Sequence, residues 1–438
     1  MFHVRQKLPT LFTLLIMIGA IPPLMVALSP IKTFAAGCIL TALLAGIFSL
    51  RNIKHVKTIK NGSLLAISII ALYALIQHIA IGAWQVKSYA SVAALSIVVF
   101  SAYLLSKELL KLNDKLLLTA FKWSYYFFLF VGILNIATGY TIGKSLGYTH
   151  GKPIFPFLEP SHYALFLGPL SYIYISTQKK TKEKLISVAA IVAMGLLIPN
   201  TTLLVYSCLS IITITAAFKP KTLLIALPIV LAIMGYGAEL VLSNEYFSSR
   251  LDLSSDKQGA TTLVYLQGVQ DSINSLSLTN GLGLGFQMLG TQPPSEYSYS
   301  IAKVMSDVNG ELNREDGGFL AAKIISEFGF LGLGAVIYFI FTCAISFLAI
   351  RRLSKNNHQP EYIKQLIFHC IIVSFSIEMF IRGYGYFSSG FYLFLVAVFC
   401  MANLKKTHQT KLGRAKSNQY AARKIPSFNK DLSQSNSR

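Results

Sequence analysis

The stretch PFLEPSHYA, residues 156–164, sets Glu159, Ser161 and His162 where a long apolar run begins. A carboxylate beside an imidazole can orient and deprotonate a hydroxyl group. The plainer role is a helix cap. Pro160 suits a first helical turn, and the side chains of Ser161 and Glu159 can take up its free N–H groups. Capping leaves His162 unexplained, so the stretch is expected to be both a cap and part of a site.

Two later stretches carry charge at membrane depth. In DGGFLAAKIISEFGFLG, residues 316–332, Asp316, Lys323 and Glu327 recur at spacings that put them on one helical face. A Lys323–Glu327 ion pair would serve packing alone, but charges inside a membrane tend to mark substrate paths, and function is favoured. In IEMFIRGYGYFSSG, residues 377–390, Glu378 and Arg382 stand four apart and can pair. Arg382 leads into a tight turn with Tyr384 and Tyr386. Its planar fork offers two parallel donors, which suits a diphosphate. Arg250, in YFSSRLDLSSDKQG, is a second candidate for an anionic ligand; alone it reads as a solvated surface charge. His78 and His369, single histidines on apolar helices, read as hydrogen-bonded packing residues, and Lys122 as a snorkelling side chain.

These residues need a scaffold, and composition names it. Of 438 residues, 53% are hydrophobic and 13% charged, with a mean hydropathy of +0.55. A soluble protein carries roughly twice that charged fraction. Apolar runs of about 17–22 residues recur along the chain, long enough to cross a hydrocarbon core of roughly 30 Å. The expected fold is all-α: a polytopic integral membrane protein of about twelve transmembrane helices. They are centred near residues 18, 41, 73, 97, 126, 169, 191, 209, 232, 339, 374 and 395. The first run has no small-residue cleavage site and is read as a retained helix.

The net charge of +21 lies mostly on one side of this layout. With the N-terminus inside, the cytoplasmic segments hold 28 of the 39 lysines and arginines. Both termini are then cytoplasmic. The basic tail, 404–438, has no aromatic interleaving and is expected to be a disordered solvated segment, not a nucleic-acid platform. The transmembrane domain, 1–403, carries two long outer loops, about 139–160 and 243–316. In the second, ATTLVYLQGVQDSINSL has apolar positions at helical spacing and is expected to lie on or near the membrane. TNGLGLG then reads as a turn followed by close backbone approach. The five cysteines, all in apolar runs, lack CxxC or metal-ligand spacing, so no disulfide, metal or cofactor is expected. No internal repeat of the kind found in secondary transporters appears.

Taken together, FLEPSHYALFLGPL, NGLGLGFQMLG, EDGGFLAAKIISEFGFLGL and FIRGYGYFSSGFYLF resemble elements of the bacterial O-antigen and capsule repeat-unit polymerases, the Wzy type, over about residues 140–400. The resemblance implies a glycosyltransferase of the inner membrane with its site facing the periplasm. Its substrates would be undecaprenyl-diphosphate-linked oligosaccharides, one as donor and one as acceptor. A chain-length regulator and a flippase in the same membrane are implied as partners. Glu159, His162 and Asp316 would then be the catalytic candidates; Arg250, Lys323, Arg382, Tyr384 and Tyr386 would bind substrate. The related O-antigen ligases, which transfer glycan to lipid A core, often carry a His-Asn pair where this chain reads NREDGGF. A lipid-linked oligosaccharide flippase is the alternative from another class; it should show charges along many helices and short outer loops.

Overall fold

A computed structural model describes residues 2–28, 33–50, 61–82, 85–145, 152–216, 259–305, 314–355 and 362–404, with isolated positions between 217 and 258. Among the described residues the chain is helical, with one isolated β-bridge between Ile154 and Phe157. Helices cover every expected centre except that near 232, which lies outside the described residues, as do Arg250 and the basic tail.

In chain order the helices are α1 Phe2–Leu28, α2 Phe34–Leu50, α3 Asn61–Ile81, α4 Val86–Lys111, α5 Asp114–Ala137, a short α6 Thr141–Ser145, α7 Pro160–Thr177, α8 Thr181–Leu197 and α9 Thr201–Ala216. Then follow α10 Ala260–Leu278, α11 Glu296–Met305, α12 Leu320–Lys355, α13 Ile363–Phe380 and α14 Ser389–Leu404. Five of them (α1, α4, α5, α12 and α13) are long and apolar enough to cross a membrane; α2, α3, α9 and α14 carry shorter apolar segments. Large apolar side chains are exposed along α12, with Tyr338, Phe341 and Ile345 each more than 60% accessible. Such a surface is tolerable in lipid and an aggregation hazard in water. Its described residues make it an all-helical membrane protein.

The ends of the bundle differ. At one, Lys364 pairs with Asp114 at 3.0 Å and Lys107 donates to Asn403 at 2.8 Å. At the other, Lys87 meets Glu315 at 2.7 Å, and the Gly383 N–H donates to the Gly318 carbonyl at 3.1 Å. α4 carries Lys87 near its start and Lys107 near its end, and its 26 residues span about 39 Å. The loop expected at 243–316 is not a bare connection: α10 and α11 lie within it. α10 turns Gln267, Asp271 and Ser275 inward and leaves Tyr265, Val269 and Ile273 exposed, an outward apolar stripe on a segment with a polar buried face.

α12 is broken near its start. Gly329 adopts φ 58° and ψ −134°, dividing the helix into residues 320–328 and 330–355. The break strands several carbonyls, which must find other donors in an apolar setting. The glycine-rich loop supplies them: Leu284 N–H donates to the Ser326 carbonyl at 2.9 Å and Gly285 N–H to that of Glu327 at 3.0 Å. Phe330 N–H returns a bond to the Gly281 carbonyl at 2.8 Å. From α3, Gln77 Nε2 donates to the Glu327 carbonyl at 2.7 Å and Tyr73 Oη to that of Phe328 at 3.1 Å. Close backbone approach is what TNGLGLG does.

The approach leaves no room for a side chain. A Cβ on Gly283, where φ is +81°, would lie 2.4 Å from the Gly329 nitrogen. Gly283→Ala is expected to destabilise the detergent-solubilised protein by about 3 kcal/mol, read as a drop in thermal midpoint. Gly334→Ala on the same helix, where an added Cβ meets nothing within 4 Å, should leave the midpoint within error. Equal midpoints for both variants would discount the loop's role.

Candidate functional site

The loop ends of α7, α12 and α13 converge, and most of the expected site residues come with them. Glu159 is the N-cap of α7, with extended backbone and Pro160 next to it. Its side chain makes no capping bond, so the expected carboxylate cap is absent. The helix start is carried by the Glu159 carbonyl, which accepts from His162 N–H at 3.1 Å. Three groups meet the carboxylate at Oε2 instead: Ser161 Oγ at 2.9 Å, Arg382 Nη2 at 3.5 Å and His162 Nε2 at 3.8 Å.

Arg382 corrects a second expectation. α13 ends at Phe380, and the chain turns so that Arg382 faces Glu159 across the site instead of pairing back with Glu378. Arg382 Nε has no hydrogen-bond partner among the described residues. The pair is half open, with side-chain exposures of 20% and 53% for Arg382 and Glu159. An exchangeable, partly solvated arginine is what an incoming anion requires.

Asp316, expected on the same helical face as Lys323 and Glu327, precedes the helix altogether. Gly317 and Gly318, both at positive φ, turn the chain before α12 begins. The turn is held where a Cβ on Gly318 would strike the Val264 carbonyl. Asp316 still lies within electrostatic reach of Lys323 and Arg382. It keeps an exposed surface, yet the crowding around its carboxyl raises it above the usual carboxylate range, against the pull of those two cations.

Lys323 is enclosed. Its Nζ lies 3.7 Å from Glu327 Oε1, 5.9 Å above the Tyr386 ring, and donates to the Glu315 carbonyl. The expected Lys323–Glu327 pair is present and almost wholly buried. It lines the floor of the site and is not open to it. Tyr386 is buried between this pair and Phe286, whose ring centroid is 5.1 Å away. Tyr384 stacks on Phe34 at 5.0 Å and meets His162 edge-on at 4.5 Å. Burial raises both phenols well above their usual range, so each stays a neutral hydroxyl.

Sequence reasoning missed several participants. Gln77 and Tyr73 brace the break, Phe34 walls the histidine, and Lys87 holds Glu315 next to Asp316. Gln77, a lone amide near the end of an apolar helix, was the one visible signal among them. His78, read as a packing residue, stacks on Tyr89 at 5.2 Å. The five cysteines are free thiols. Among the described residues no group of three or more His, Cys, Asp or Glu side chains is placed to hold a metal ion.

The fold and site thus define a class: an all-helical membrane protein with acidic, basic and aromatic side chains gathered at one end of its bundle. No protein-family model and no curated protein matches this chain.

Proposed function

We propose that the chain is a polymerase of undecaprenyl-diphosphate-linked oligosaccharide units, working at the periplasmic face of the bacterial inner membrane. The observation that carries the reading is the meeting of Glu159 and His162 with Arg382, 223 residues after Glu159 in the chain, and with Asp316 in electrostatic reach of Arg382. In the reaction an acceptor hydroxyl oxygen forms a bond to the anomeric carbon of the growing glycan. The bond from that carbon to the donor's diphosphate breaks, and the electron pair leaves with the phosphate. Glu159 takes the hydroxyl proton, oriented by His162. Arg382 meets the departing diphosphate with its fork, and Arg250 is assigned to the same anion. Lys323 acts from below by fixing the 315–316 turn. Asp316, near the site and negative when ionised, favours the positive charge that develops on the reacting sugar ring. Tyr384 offers a neutral hydroxyl to the glycan, and Tyr386, expected to bind substrate, is buried and acts from below with Lys323.

The positive-inside asymmetry supports the orientation, and α10 with its outward apolar stripe fits a loop resting on the membrane surface. The test is the glycan ladder of a deletion strain, with reporters fused after Tyr265 and after Lys355. Single-repeat product with a periplasmic signal from Tyr265 and a cytoplasmic one from Lys355 is the expected result. Loss of all attached glycan would identify a ligase, and a trapped cytoplasmic intermediate a flippase.

A further inference from the structure

Glu378 is a buried carboxyl to which the proposed reaction gives no task. The ion pair with Arg382 that its spacing allows is not formed, and Ser388 is its hydrogen-bonding neighbour. Ser388 Oγ accepts from the Phe391 N–H at 2.9 Å, which leaves its own O–H for the carboxyl. Glu378 Oε1 has no hydrogen-bond partner among the described residues, and neither has His162 Nδ1. Both residues are more than nine-tenths buried, Glu378 at 2% exposure and His162 at 8%. Two orphaned polar atoms at such depth are costly.

Both residues line one void of about 20 Å³ where α7 meets α13. That is room for one water and for nothing larger. Dry cavities in proteins have apolar linings, whereas a buried water needs about two to four polar partners. Here the imidazole and the carboxyl supply two, with Ser388 beside them. Gly390 keeps the space open, since a Cβ there would collide with Glu378 Oε2 and push the carboxyl aside. On the other edge of the ring, His162 Nε2 lies 3.8 Å from Glu159 Oε2. That is beyond hydrogen-bond distance, so the contact alone does not settle which nitrogen carries the proton.

We propose that one buried water joins Glu378 Oε1 to His162 Nδ1 and so fixes the imidazole with its proton on Nε2, facing Glu159. The inference rests on the polymerase reading and adds to it a positioning residue, Glu378, which touches no substrate. A water can donate one hydrogen to each of the two acceptors. With Nδ1 accepting, a neutral imidazole must carry its proton on Nε2. That proton is what His162 turns toward Glu159, where it favours the carboxylate that takes the acceptor's proton. The opposite tautomer would set a lone pair against the carboxylate, and the orientation would be lost.

The test is nitrogen NMR on the full chain in lipid nanodiscs, with isotope-labelled histidine. The signals of His162, one of eight histidines, are found by subtracting the spectrum of His162→Ala. In the wild type, Nε2 should be protonated and Nδ1 bare, with a water contact at Nδ1 in a water-selected spectrum. Glu378→Leu should remove that contact and mix the two tautomers. It should also lower kcat for transfer between lipid-linked units about tenfold, with KM unchanged, as loss of an orienting partner does. Glu378→Gln keeps an acceptor oxygen and should restore the tautomer and most of the rate. Should the leucine variant fail to fold, the wild-type spectrum still decides. A proton on Nδ1 in the wild type, or no water contact there, would overturn the proposal, as would an unchanged tautomer in Glu378→Leu. A full ladder in the deletion strain would remove the polymerase reading and leave the spectra standing; a lost ladder with the proton on Nδ1 would remove only the water bridge.

Discussion

Replacing Glu159 with glutamine is expected to leave the protein at normal membrane levels and to reduce polymerisation about a hundredfold or more, the usual cost of removing a general base. The geometry makes this substitution unusually clean. The carboxylate does not cap α7, whose start depends on Pro160 and on the Glu159 backbone carbonyl, and both survive the change. Glutamine keeps the shape and one acceptor oxygen for Ser161, but has no basicity to offer. His162→Ala should be milder if the imidazole only orients Glu159, and equally severe if the two act as one unit. The measurement is glycan ladder length at matched protein levels. A normal ladder from Glu159→Gln would return the stretch to a structural role and move the search for the base to Asp316.

Arg382→Ala should abolish long chains while the protein still inserts. Arg382→Lys should restore them only in part, because an ammonium cannot present two parallel donors to a diphosphate. The rival account is that Arg382 only stabilises the fold through Glu159. Magnitudes decide against it: a half-open pair at 3.5 Å is worth about 0–1 kcal/mol, too little to unfold a protein of this size. That account predicts that Arg382→Ala and Glu159→Ala lose protein level together. Full activity in the lysine variant would show that charge alone matters, and full activity in the alanine variant would remove Arg382 from the site.

Helix positions were legible because each span must satisfy its own backbone hydrogen bonds in lipid. That requirement writes a long apolar run into the chain wherever a spanning helix stands. The expected centres near 18, 97, 126, 339 and 374 hold helices long and apolar enough to span. Glycine was legible for a similar reason. TNGLGLG announced close backbone approach, and positive φ at Gly281, Gly283 and Gly285 bears it out. The residue types at the site were visible too, since ionisable groups stand out against an apolar background.

Partnership was not legible. Spacing of four suggested Glu378 with Arg382, but helical spacing binds only while the helix lasts, and α13 stops at Phe380. The same holds for Asp316, which precedes α12 and reaches Lys323 through a turn instead of along a helical face. The break at Gly329 was equally hidden, because its cause lies outside its own segment. The stranded carbonyls are satisfied by a loop some forty-five residues earlier and by Tyr73 and Gln77 from α3. Local sequence thus determined which segments are helices and which side chains carry charge, since both are settled by the residue and its immediate solvent. Which charge meets which, and which carboxyl is left facing a cavity, depended on where helices end and how their loops dock. Those outcomes belong to contacts between residues up to hundreds of positions apart, and only the tertiary structure decided them.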